Sequence, residues 1–176
     1  VASFQPSAIQ AAGQVRLSQG LAQLQQPLTA QFQWNGEQLR IVQATTPGLR
    51  AAGTVAISFA DTTTPQVQNF NLDVLAQNYN LQNLPFQLPG NLAIAGTIDF
   101  NGTVTGTPSL GLKPQALVAS GNIQLENFKV NDLAFDPVLT GQVSYQPEQG
   151  SQLQLRGQQD QIALNLAPDN RPISFL

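Results

Sequence analysis

Ile94-Ala95-Gly96-Thr97-Ile98-Asp99-Phe100 alternates apolar and polar side chains around a glycine, and the same grammar recurs along the chain. It returns as Ala51-Ala52-Gly53-Thr54-Val55-Ala56-Ile57-Ser58-Phe59, as Ala119-Ser120-Gly121-Asn122-Ile123-Gln124-Leu125 and as Leu139-Thr140-Gly141-Gln142-Val143-Ser144-Tyr145. A period of two puts Ile94, Ile98 and Phe100 on one face of a strand and Thr97 and Asp99 on the other. Repetition of the unit lets the apolar faces align into one continuous surface. That surface meets either a closed core or an apolar ligand.

Working outward, Leu28-Thr29-Ala30-Gln31-Phe32-Gln33-Trp34 and Glu37-Gln38-Leu39-Arg40-Ile41-Val42-Gln43 flank Asn35-Gly36. Asn-Gly between alternating runs predicts a two-residue type I′ hairpin loop, which sets Phe32 opposite Leu39 and Ala30 opposite Ile41. Trp34 shares that face with Phe32 and packs near the hairpin end. A turn at Thr46-Pro47-Gly48 leads into a strand from Leu49 to Phe59, and Asp61 to Pro65 reads as a polar loop. Phe70, Leu72, Val74 and Ala76 alternate with Asn69, Asn71 and Asp73, another strand. Tyr79 to Pro89, with Pro85 and Pro89, reads as irregular or as an edge, because proline cannot donate to a ladder.

Leu92 to Gly106 keeps one apolar face throughout. It exceeds the usual strand length, so a bend is expected at Asn101-Gly102. Further strands are expected at Leu117–Leu125, Phe128–Leu133, Leu139–Tyr145, Leu153–Gly157 and Gln161–Leu166, punctuated by prolines at 108, 114, 137, 147, 168 and 172. Leu17, Leu21 and Leu24 have helical spacing, which Gly20 and Pro27 weaken. The pattern is that of an all-β meander.

Composition narrows the function. Of the 176 residues only 10% are charged, polarity coming mainly from Gln and Asn. A net charge of −3 with isolated Lys and Arg argues against nucleic acid, which needs clustered cations, and against docking on anionic headgroups. There is no Cys and no His, so thiol nucleophiles, the commonest general base and most metal sites are absent. Asp132 and Asp136 flank apolar residues and read as solvated turn acids rather than calcium ligands. No nucleophile elbow, Ser-x-x-Lys or phosphate loop is present. Asn101-Gly102-Thr103 matches a glycosylation sequon but is better explained as a glycine-containing turn. An enzyme is not expected, and no cofactor or metal is implied. The chain begins at Val1 without Met, contains no transmembrane-length run, and reads as a single segment, 1–176, of a longer protein.

Gly102-Thr103-Val104-Thr105-Gly106-Thr107-Pro108, leading through Pro114 to Gly121-Asn122-Ile123-Gln124-Leu125-Glu126-Asn127-Phe128-Lys129-Val130-Asn131, resembles the repeat grammar of the TamB family within the AsmA-like group. Leu39-x-Ile41 to Gly53-Thr54-Val55 is similar. The glutamine-rich flavour resembles the cyanobacterial and chloroplast inner-envelope type. The resemblance implies an elongated, curved, antiparallel-rich sheet folded like a taco shell (a β-taco, or repeating β-groove) with an apolar concave face. It implies a periplasmic bridge anchored to the inner membrane outside this segment, working with an outer-membrane barrel of the Omp85 class in outer-membrane biogenesis. It implies phospholipid acyl chains as cargo and neighbouring repeats of the same chain as packing partners.

On that reading Val55, Ile57, Phe59, Leu72, Val74, Ile94, Ile98, Phe100, Ile123, Leu125, Val143, Leu153, Leu155, Ile162 and Leu164 line the groove. Otherwise they form the core. Two further readings stay open: a scaffold that assists barrel-protein assembly or translocation by strand addition, and an adhesive β-solenoid with a sealed core.

Overall fold

The computed structural model describes residues 9–18, 26–59, 66–83, 92–107, 117–146, 149–167 and 172–175. The expected loop at Asp61–Pro65, the apolar positions Leu21 and Leu24, the segment from Leu84 to Pro89, and the prolines at 108, 114, 147 and 168 lie outside these residues.

The strands are β1 (Ala11–Leu17), β2 (Leu28–Trp34), β3 (Gln38–Thr46), β4 (Leu49–Ser58), β5 (Gln66–Asn80) and β6 (Ile94–Gly106). They continue as β7 (Leu117–Val130), β8 (Leu133–Ala134), β9 (Val138–Gln146), β10 (Gly150–Arg156), β11 (Gln161–Leu166) and β12 (Pro172–Phe175). A short 3-10 turn, Leu81–Asn83, follows β5. All the strands belong to one 12-stranded sheet. The order follows the chain, with the short β8 paired only to β7 and β7 passing on to β9. Every pairing is antiparallel, as alternating sequence joined by short turns dictates. The expected antiparallel all-β sheet is what forms. Its edges, β1 and β12, do not pair with each other, so the sheet is not a closed barrel.

The hairpin departs from expectation. Trp34 pairs with Leu39 and Phe32 with Ile41, so the turn centres on Gly36 and Glu37 rather than on Asn35 and Gly36. Asn35 instead anchors it: its Oδ1 accepts the amides of Glu37 (3.1 Å) and Gln38 (2.8 Å), and Gly36 takes φ 106°. The slip is two residues, an even number, so the apolar faces still coincide. A bulge at Val42 then puts Ala44, not Ile41, opposite Ala30.

The bend expected at Asn101-Gly102 is absent, because β6 runs unbroken and pairs along its length with both neighbours. Gly102 pairs with Gly121 across β6 and β7. A Cβ added at Gly121 would lie 2.6 Å from the Asn101 carbonyl oxygen and 2.7 Å from a Phe100 ring carbon. The glycines permit close strand approach under that ring, where a turn was expected. Likewise the expected break between Leu125 and Phe128 is a bulge inside β7. Asn127 takes φ 51° there, a left-handed conformation asparagine tolerates, and its N–H donates to the Pro137 carbonyl (2.9 Å). Leu17 ends β1 as strand, not helix.

Candidate functional site

Register assigns each side chain to a face. Ile41, Gly53, Leu72, Val104, Ala119 and Tyr145 form one cross-strand row. Ala51, Val74, Gly102, Gly121, Val143, Leu153 and Leu164 form the next. Ala76, Phe100, Ile123, Gly141, Leu155 and Ile162 follow, then Ile98, Leu125 and Leu139. Val55 lies opposite Phe70 and Ile57 opposite Val67, on this same face. Phe59, just past β4, meets Trp34 edge to face at a centroid distance of 5.9 Å. Ile94 and Ile98, both on β6, pack against a cluster of buried leucines. The structure thus brings all the sequence-assigned positions to one side of the sheet.

The other side is mostly amide and hydroxyl, with Arg40, Arg50 and Asp73 and a few apolar side chains such as Leu75 and Val118 among them. Asn101, Asn122, Gln142 and Gln154 make one row across β6, β7, β9 and β10. Asp73, Thr103, Ser120, Ser144 and Gln152 make another. Along β7 the apolar-side residues are half-buried or buried, while Val118, Ser120 and Asn122 opposite them are exposed. In a single layer both sides would be equally wet unless one is sheltered; here the sheltered side is the apolar one.

Shelter is uneven. Leu125 (4% exposed), Leu139 (0%) and Leu155 (2%) form a buried cluster with Leu81 (5%). Ile94, Ile98, Ile123, Leu153 and Ile162 pack against it, as do Phe128 and Phe135. Of the sequence-assigned positions, then, Leu125 and Leu155 are sealed core. Val55, Ile57, Phe59, Leu72, Val74, Phe100, Val143 and Leu164 keep partial exposure. Leu81, Leu139, Phe128 and Phe135 were not singled out from sequence; Leu139 was legible from its strand, since it begins the Leu-Thr-Gly-Gln-Val repeat.

The residues around the cluster are fastened by hydrogen bonds. Phe135 N–H donates to the Phe128 carbonyl (3.1 Å), and their rings stack at 5.3 Å. Asp136 Oδ2 accepts the amides of Gln159 (2.7 Å) and Asp160 (2.8 Å), while Asp160 Oδ2 accepts the Asp136 amide (2.7 Å). The Asp160 and Gln159 amides hold the Asp136 carboxyl below its usual range. Tyr79 donates its hydroxyl to the Asn83 carbonyl (2.9 Å), and burial pushes its pKa up. Burial raises Tyr145 likewise.

Among the described residues no group of three or more Asp, Glu, His or Cys could hold a metal ion, no polar or charged side chain is buried apart from Tyr79, and no helix is long and apolar enough to cross a membrane. No family model, curated protein or solved structure matches this chain.

Proposed function

We propose that the apolar side of the sheet carries phospholipid acyl chains, as one segment of a bridge between the two membranes of a cell envelope that supports outer-membrane biogenesis. The observation that carries this reading is a continuous, largely apolar face of aliphatic, aromatic and glycine residues, with no charged side chain assigned to it by register, on a sheet left unclosed. At ~25 cal/mol per Å² of apolar area, an acyl chain on such a face gains several kcal/mol relative to water. Relative to a membrane the gain is near zero, since hydrocarbon replaces hydrocarbon, and that balance lets the chain slide. On this reading the molecule sits in the periplasm, is held at the inner membrane by a segment outside this chain, and hands lipid towards an outer-membrane barrel of the Omp85 class. Neighbouring repeats continue the groove.

The test is phospholipid extraction after incubation of the purified chain with phospholipid vesicles and re-isolation. Bound phospholipid is expected. Ile57→Asp, at the partly exposed end of β4, should lower it by roughly tenfold through the cost of placing a charge against hydrocarbon, with an unchanged melting temperature. A lipid-free chain, or equal lipid in both proteins, would overturn the proposal.

One observation favours a second reading. Among the described residues the outer edge of β1 has no strand partner, and its residues are exposed except for Leu17, which suits addition of a strand from an unfolded barrel protein. That reading predicts peptide binding insensitive to Ile57→Asp.

A further inference from the structure

We infer that the segment from Phe128 to Pro137 is a latched wall closing one margin of the apolar face, with Asp136 and Asp160 as its latch. The wall has an apolar inner side: Phe128 and Phe135 stack on each other and pack on the sealed cluster of Leu81, Leu125, Leu139 and Leu155. Its exposed residues are mixed and include Lys129, Asn131, Asp132, Leu133 (61% exposed) and Ala134. The segment leaves the sheet after β7, makes only the two-residue β8, and returns into β9.

So short a strand holds little by itself, and the fastening comes from elsewhere. At its base, Asn127 N–H donates to the Pro137 carbonyl (2.9 Å), and the reciprocal bonds between neighbouring Asp136 and the Gln159-Asp160 turn tie it to the connection between β10 and β11. At its tip, Asn131 exchanges hydrogen bonds with Ala93. Room for the Asp136 bonds is made at Gly157, where a Cβ would collide with the Asp136 carboxylate. The latch therefore joins two loops distant in sequence, at the margin where Leu139 and Leu155 are sealed.

On the same face, Leu125 beside the wall is 4% exposed, whereas Val104, away from the wall on β6, is half-buried. The wall divides the apolar face into a sealed margin and an accessible lane. For lipid this consequence rests on the proposed reading: acyl chains would occupy the lane through Val55, Leu72 and Val104 and stop at the wall. The latch itself does not depend on that reading.

The chain contains no Cys, so a single introduced thiol reports local access. Leu125→Cys and Val104→Cys are compared by maleimide labelling of the whole chain, without lipid. Labelling at position 125 should be at least ~10-fold slower than at 104, as expected for a site that reacts only through local opening. Asp136→Ala should speed labelling at 125 several-fold and leave 104 unchanged. Asp136→Asn, whose amide oxygen can accept both amides, should restore protection. Equal rates at 125 and 104, an unchanged rate at 125 in Asp136→Ala, or equal acceleration at both positions would overturn the latch. A chain that binds no phospholipid yet shows the full labelling pattern keeps the wall and loses the lipid reading.

Discussion

At Asp136 a carboxylate that reads from its neighbours as a solvated turn acid accepts two amide protons, from Gln159 and Asp160. Those bonds favour the ionised form and draw its pKa down from the usual 3.8. A depressed folded-state pKa stabilises the fold above the unfolded-state value, and that contribution is lost as pH falls through the folded-state value. Thermal melts between pH 7 and 2 should therefore show wild type losing stability in the acid limb more steeply than Asp136→Asn, whose side chain has no such proton to gain. Parallel acid limbs would mean that the bonds do not distinguish the two protonation states. Phe100 makes the complementary point. Its alternation shows the face on which it lies, yet nothing in its neighbours tells that its ring covers the Gly102–Gly121 pair.

Among the strands, stability should concentrate where burial does. Leu139, with no exposed surface on β9, should cost about 2–5 kcal/mol on truncation to Ala, since its removal leaves a cavity. Val74, half-buried on β5, should cost about 1 kcal/mol when truncated, because fewer contacts are lost. Urea unfolding of the two variants checks this; equal losses would show that the cluster is no tighter than the rest of the face. Most strands and their faces were legible because a period of two survives every even slip in register. Strands β1 and β12 were not expected, and Tyr79 and Asn80, expected to be irregular, extend β5. The register of the hairpin was not legible, because Asn35 uses its side chain to cap the turn instead of entering it. Bulges at Val42 and Asn127 were equally hidden: each inserts one residue, and only the pairing with a neighbouring strand reveals it. The buried cluster escaped because it is assembled from β7, β9, β10 and the turn after β5, and no local pattern marks that meeting.

At the scale of the molecule the exposed area is the governing quantity. The chain presents 11910 Å² to solvent, against roughly 8300 Å² for a compact monomer of 18.8 kDa. One sheet with few buried side chains cannot hide its apolar face as a sandwich does, which needs a second layer. A face of this kind is a common mark of a binding surface, and here it runs across strand after strand with amides and hydroxyls behind it. The ionic composition is consistent with such a role, since a neutral aliphatic lane holds hydrocarbon without fixing it. The most direct measurement is photo-crosslinking in cells with a photoreactive residue at Ile57 or Val104 on the apolar side, and at Thr54 or Thr97 on the other. Phospholipid adducts at Ile57 and Val104, with none at Thr54 and Thr97, are predicted. No adduct at the apolar positions of a folded chain, or equal adducts on both sides, would contradict an acyl-chain lane.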